Sequence, residues 1–192
     1  MIYDITNRLT LMKYTTSFFL ISLILLCSCN SDHKGAASSE HPEMDETELT
    51  RVTMLIDPAP ETYQEDQVNR LLQYALDHNL PVHKTESGLL YWIQKPGNDQ
   101  RAQKEDKILV RYKGNLLDGT VFDQSPASGE PVEFNLSDMI PAWQEALKLI
   151  GEDGKMTILT HSDLAYRGQR IGNVIAPYSP LIFEVELIAV VR

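Results

Sequence analysis

VRYKGNLLDGTVFDQS, residues 110–125, is the stretch from which the fold reads outward. With the residues just before it, Ile108, Val110 and Tyr112 alternate with Leu109, Arg111 and Lys113, the two-residue period of a strand with one buried face. Asp118-Gly119 then makes a tight turn, because glycine takes a positive φ without a side-chain clash and aspartate tolerates it better than most residues. The chain doubles back, bringing Tyr112 and Phe122 to one apolar wall with the Asp123 carboxylate at its rim. An ordinary solvated hairpin accounts for these residues equally well, since aromatics on a half-buried strand are common.

A chain of 192 residues, 43% of them hydrophobic, is long enough to bury one domain core with appendages to spare. The formal charge of -10 argues against binding a phosphate backbone, which needs clustered Lys and Arg, so no nucleic-acid partner is expected. The run FFLISLILLC from Phe18 to Cys27 follows Lys13 and is too short for a membrane-crossing helix, which takes about 20 residues; it matches the apolar core of a secretory signal. Met12 is the alternative start to Met1. The segment Ser28-Cys29 resembles the end of a bacterial lipoprotein signal, with a small residue before a cysteine that is cleaved and lipid-modified. Cys27, preceded by Leu26, fits that pattern less well. Residues 1–28 thus read as a signal peptide and Cys29 as the lipidation site of a body held in the cell envelope, at the periplasmic face of the inner or outer membrane. No disulfide can form within the domain, because no other cysteine follows.

Residues 29–60 are rich in Ser, Asp, Glu and Pro and read as a flexible tether, within which a short apolar patch, Val52 to Ile56, is a candidate for packing on the body. Residues 61–84 contain Val68, Leu71, Leu72, Ala75 and Leu76 at helical spacing with Glu65 and Asp66 in the first turn, an amphipathic helix stopped by Pro81. Docking on its own domain is the preferred reading of this stripe, and a homodimer contact through 61–84 the alternative. Further strands are expected at residues 89–94, 132–136, 155–160 and 181–188, and a helix over 137–151 capped by Ser137 or Asp138, with Trp143 facing inward. Residues 162–179 form a long loop with apolar side chains, which suggests that it closes over something. Five or six strands with hairpins and one short central helix make an α+β fold with an antiparallel sheet.

The five histidines fall in no metal-binding pattern, and there is no GxSxG, phosphate-cradling glycine loop or cysteine nucleophile in the body. Neither a metal nor a cofactor is expected.

The motif Tyr112-x-Gly114-x-Leu116-x-Asp118-Gly119-x-x-Phe122-Asp123-x-Ser125, followed by Ile140-Pro141-x-Trp143-x-Glu145-Ala146-Leu147, Ala165-Tyr166 and Phe183-x-Val185-Glu186-Leu187, resembles the FKBP-type peptidyl-prolyl isomerases over about residues 85–192. The resemblance implies an antiparallel sheet wrapped around a short helix, and a pocket for a prolyl side chain. It implies catalytic positions at Tyr112, Phe122, Asp123 and Tyr166. Substrate-binding positions fall at Phe134 (or Val132), Met139, Ile140, Trp143, Ile175 and Phe183, with Trp143 as the floor. Ala142 and Arg167 stand where the family commonly has glycine. The leader and N-terminal helix further resemble lipoprotein members linked to gliding motility. The implied partners are Xaa-Pro segments of folding envelope proteins and, through the lipid, the membrane. A chaperone that holds proline segments with little isomerase activity is the alternative function.

Overall fold

The computed structural model describes residues 43–192, so the signal segment, Cys29 and the first part of the tether lie outside the described residues. Helix α1 (Glu46–Thr53) starts at Asp45, whose side chain accepts from the Glu48 N–H. Helix α2 (Tyr63–Asp77) starts in a reciprocal box: Thr62 Oγ1 accepts from the Glu65 N–H, while the Glu65 carboxylate accepts from the Thr62 and Glu61 N–H groups at 2.8 and 2.9 Å. The strands are β1 (His83–Lys84), β2 (Leu90–Lys95), β3 (Lys107–Leu116), β4 (Val121–Gln124) and β5 (Val132–Asn135). After the short helix α3 (Pro141–Ala146) come β6 (Gly154–Thr160) and β7 (Leu181–Val191).

All strand pairs are antiparallel, in the order β1-β2-β6-β7-β3-β4, with β5 also on β3. The two-residue β1 brings the count to seven, beyond the five or six expected. Strand β3 is central: β7 covers one edge over its full length, and β5 and β4 divide the other, β5 pairing Lys107 to Val110 and β4 pairing Lys113 to Asn115. Between them Tyr112 would be left without backbone partners. Ser125 fills the gap, its N–H donating to the Tyr112 carbonyl and its Oγ accepting from the Tyr112 N–H, both at 2.9 Å.

The sheet is covered on both faces. On one, Ile108, Val110, Met156, Ile158 and Val185 pack around Trp143, Leu147 and Ile150 of the α3 region. On the other, Leu90, Leu159 and Ile182 pack against Leu71, Leu72 and Ala75 of α2 and Val52 of α1. Neighbouring residues thus enter opposite cores, Leu89 and Leu90, Ile158 and Leu159, Leu181 and Ile182, which is why β6 and β7 read as almost unbroken apolar runs. Each fully buried leucine under α2 contributes about 1.5–3 kcal/mol of hydrophobic stabilisation, and the helix uses its apolar stripe on its own domain.

Two expectations are corrected. The tether assigned to 29–60 gives way to α1, with Val52 fully buried and Met44, Leu55 and Ile56 packed on the same cluster. The apolar patch from Val52 to Ile56 does pack on the body, and what the polar mean composition of the stretch hides is the helix that carries Val52 there. The helix expected over 137–151 is cut at both ends. Residues 136–138 form a single 3-10 turn that ends at an extended Met139, and Ile140 is extended because the ring of Pro141 disfavours helical geometry in the residue before it. Pro141, free of an N–H to satisfy, then opens α3, with Ile140 rather than Ser137 or Asp138 as cap. Beyond Ala146 the chain turns through Leu147 to Leu149.

The Thr62 and Glu61 N–H groups hold the Glu65 carboxyl below its ordinary 4.5. A lowered carboxyl stabilises the fold above the unfolded value and loses that contribution as pH falls through the folded one. Urea unfolding of parent and Glu65→Gln is therefore expected to show the parent more stable at neutral pH and the difference shrinking below pH 4.5. A difference independent of pH would overturn this assignment.

Candidate functional site

The concave side of the sheet ends in a pocket of about 220 Å³ lined by Tyr112, Phe122, Asp123, Phe134, Asp138, Met139, Ile140, Trp143, Tyr166 and Phe183. Four strands supply its wall: β3 Tyr112, β4 Phe122 and Asp123, β5 Phe134, and β7 Phe183. Trp143 is only 3% exposed and is the hub, standing edge-on to Tyr112 (centroids 5.3 Å apart), Phe183 (5.6 Å) and Phe134 (6.0 Å). Phe122 meets Phe183 at 5.5 Å and 87°. Edge-to-face rings of this kind each add about 0.5–1.5 kcal/mol beyond area burial and fix one another's orientation. The Trp143 Nε1–H has no acceptor among the described residues.

Polar groups sit at the rim. Asp123 Oδ2 accepts from the Tyr112 hydroxyl at 2.8 Å and its Oδ1 from the Gln124 N–H at 2.9 Å. Burial, then the hydrogen bond to Asp123 and its negative charge, push the Tyr112 phenol well above its ordinary 10. Burial and, after it, the charge of Asp123 push Tyr166 in the same direction. Both phenols therefore stay protonated across the neutral range. Tyr112 spends its proton on Asp123, while the Tyr166 hydroxyl has no hydrogen-bond partner among the described residues and remains an available donor.

The second available donor is the Ile140 N–H, which precedes the first turn of α3 and likewise has no acceptor among the described residues. Its segment is held by Gln144, whose Nε2 donates to the Met139 carbonyl at 2.7 Å and the Ser137 carbonyl at 3.1 Å. No cluster of three or more His, Cys, Asp or Glu residues able to hold a metal occurs among the described residues. His161, the histidine nearest the site in sequence, is buried with Nε2 at 3.0 Å from the Ser87 carbonyl.

Nine of the ten residues singled out from the sequence come together here. Ile175 does not: it is 3% exposed and lines a neighbouring depression beyond Phe122, Asp123 and Tyr166. Val132 is also outside the pocket lining.

A family model described as FKBP-type peptidyl-prolyl cis-trans isomerase matches residues 98–188. A crystal structure of a peptidyl-prolyl cis-trans isomerase from Pseudomonas syringae superposes with a TM-score of 0.57 at 32% identity, covering 70% of this chain and 100% of that one. The chain belongs to the FKBP-type isomerase family. Among named relatives, the probable FKBP-type isomerase FkpA of Neisseria meningitidis is 46% identical over 109 residues, 57% of this chain and 40% of that protein. The outer membrane protein MIP of Legionella longbeachae is 40% identical over 104 residues, 54% of this chain and 45% of that protein. The chain thus spans about half the length of the curated relatives it matches.

Within this FKBP-type domain, three contributors receive no role at the site from the sequence, although Gly114 and Ser125 stand in the motif that carries the resemblance. Ser125 and Gln144 act through backbone groups that only the folded chain brings near. Gly114 left a signal, a glycine inside a strand, which marks close approach. A Cβ there would lie 2.5 Å from Phe122 Cζ, so the bare backbone of β3 is what lets the Phe122 ring lie across it and reach Phe183. Gly114→Ala is expected to retain the fold by far-UV circular dichroism while displacing Phe122. Ring-current-shifted resonances of Phe122 and Phe183 should move. Unchanged resonances would show that Gly114 is not the constraint.

Proposed function

We propose that the chain is a peptidyl-prolyl cis–trans isomerase acting on Xaa-Pro bonds of proteins in the bacterial envelope. The observation that carries this reading is the pairing of an aromatic pocket of proline size, floored by Trp143, with two available donors at its rim, the Tyr166 hydroxyl and the Ile140 N–H.

Rotation about a peptide bond crosses a barrier of about 18–20 kcal/mol because amide resonance is lost in the twisted state. No bond to a leaving group breaks and no proton is consumed. The enzyme needs only to bind the twisted amide more tightly than either planar form. A twisted amide has a less polarised carbonyl and a more pyramidal nitrogen, so a dry aromatic wall disfavours it less than the planar, more dipolar ground states. The pyrrolidine ring sits on Trp143 between Tyr112, Phe122 and Phe183. The Ile140 N–H and Tyr166 O–H hold substrate carbonyls on either side of the rotating bond. Asp123 is no acid or base in this scheme: with both oxygens accepting hydrogen bonds, it holds Tyr112 in place and sets the field at the rim.

Attachment to a membrane is proposed on the leader, with Cys29 as the lipid-bearing residue and the residues following it as the link to α1. No helix among the described residues is long and apolar enough to cross a membrane. A relative is named as an outer membrane protein, which supports an envelope location, and the resemblance of the leader to those of gliding-motility lipoproteins supports clients in the same compartment. A second copy would dock through the outward face of residues 61–84, since the apolar stripe of α2 is used within the domain.

In an assay of Xaa-Pro peptide isomerisation, Phe122→Ala is expected to lower kcat/KM by at least about tenfold, and Tyr166→Phe by about threefold to tenfold, in the range of one lost hydrogen bond. A Phe122→Ala enzyme as fast as the parent would sink the pocket reading. Mass spectrometry of the mature protein is expected to find an acylated N-terminal peptide beginning at Cys29; an unmodified peptide beginning elsewhere would remove the anchor.

A further inference from the structure

Gln67 of α2 is a fully buried polar side chain, 31 residues before the start of the family match. Its Oε1 accepts from the Ser162 N–H and its Nε2 donates to the Tyr178 carbonyl, both at 2.7 Å. These two partners stand at opposite ends of the long loop that carries Tyr166. Inside the loop the Ser162 carbonyl accepts from the Ala165 N–H at 3.0 Å and the Arg167 N–H at 2.8 Å, and the Arg167 carbonyl accepts from the Tyr178 N–H at 2.7 Å. The bonds close a circuit from Gln67 through Ser162, Arg167 and Tyr178 back to Gln67, and Tyr166 lies between two residues bonded into it.

The circuit holds a backbone that would not keep this shape alone. Arg167 has φ 52° and Tyr178 φ 59°, left-handed values that side chains other than glycine rarely adopt and that persist only where the surroundings over-determine them. The helix adds a second tie at the same point: the Tyr63 hydroxyl donates to the Tyr178 carbonyl at 3.2 Å, and the two rings meet edge-on at 5.6 Å. A buried amide that satisfies a donor and an acceptor of a distant loop costs more to remove than a surface contact, because the Ser162 N–H is then left unpaired and the Tyr178 carbonyl keeps only the longer bond from Tyr63.

We infer that Gln67 is a positioning residue for the isomerase reaction: by bridging the two ends of the loop it sets the Tyr166 hydroxyl over the pocket, which makes α2 part of the catalytic apparatus. The inference rests on the isomerase reading of the pocket. Gln67→Met, of similar size, removes both bonds. Gln67→Glu keeps the acceptor for the Ser162 N–H and loses only the donor to Tyr178, and serves if the first variant does not fold.

Both are made in the full chain and in a Tyr166→Phe background, and kcat/KM is measured on a Xaa-Pro peptide. Residues that act as one unit are non-additive. A Gln67 variant is expected to lose about tenfold in the parent and less than about twofold once the Tyr166 hydroxyl is gone. Amide exchange at Arg167 and Tyr178 is expected to quicken, with β6 and β7 unaltered. Equal losses in both backgrounds, or unchanged exchange at Arg167 and Tyr178, would overturn the inference while leaving an active parent an isomerase. A parent chain without isomerase activity would overturn the pocket reading itself, and this inference with it.

Discussion

Trp143 stands edge-on to rings from three strands, and the site follows from that contact. For Tyr112, Phe134 and Phe183 to reach one indole, β5, β3 and β7 must be adjacent and in register, with Ile108 opposite Phe134 and Gly114 opposite Phe183. The indole in turn needs a helix short enough to sit within the curve of the sheet. Pro141 starts that helix abruptly, and the same proline forces Ile140 into the extended geometry that leaves its N–H outside the helical bonding pattern. One packing hub and one proline thus produce both the floor of the pocket and one of its donors.

The division of β3 is a second condition. An edge shared by two strands leaves a point where neither pairs, and Tyr112 lies at that point. Ser125 supplies the missing backbone partners, so the edge of the strand stays hydrogen-bonded while the Tyr112 side chain turns toward Asp123. Gly114, one step further on the same face, gives up its side chain so that Phe122 can close the wall. Hydrogen bonding and steric clearance act here within five residues of one strand.

The opposite face of the sheet carries α1 and α2, and their packing is more than a cover. Leu71, Leu72 and Ala75 hold α2 on β2, β6 and β7, and a helix so fixed can present a polar side chain from the same turn to a loop on the pocket side. The stability of the N-terminal segment and the order of the pocket rim therefore share a physical support, although they lie on different faces of the sheet.

Much of this was legible in the residues. The alternation in β3, the Asp118-Gly119 turn, the apolar stripe of α2 and the inward face of Trp143 follow from local periodicity and backbone sterics, which depend on neighbours in the chain. The apolar patch at Val52 to Ile56 was legible but the helical form of α1 was hidden by polar composition, and the true start of α3 by a choice between a side-chain cap and the backbone effect of a proline. Ile175 was assigned to the pocket but packs beside it, because a loop residue's distance from a site is not encoded in its own type. By itself the sequence determined the strands, the turns and the set of aromatics, since these rest on local preference and burial. Only the tertiary structure decided which rings meet Trp143, which donors stay unpaired, and that Gln67 reaches the loop of Tyr166. Those depend on long-range register and on hydrogen-bond partners up to 115 residues apart, for which no local pattern exists.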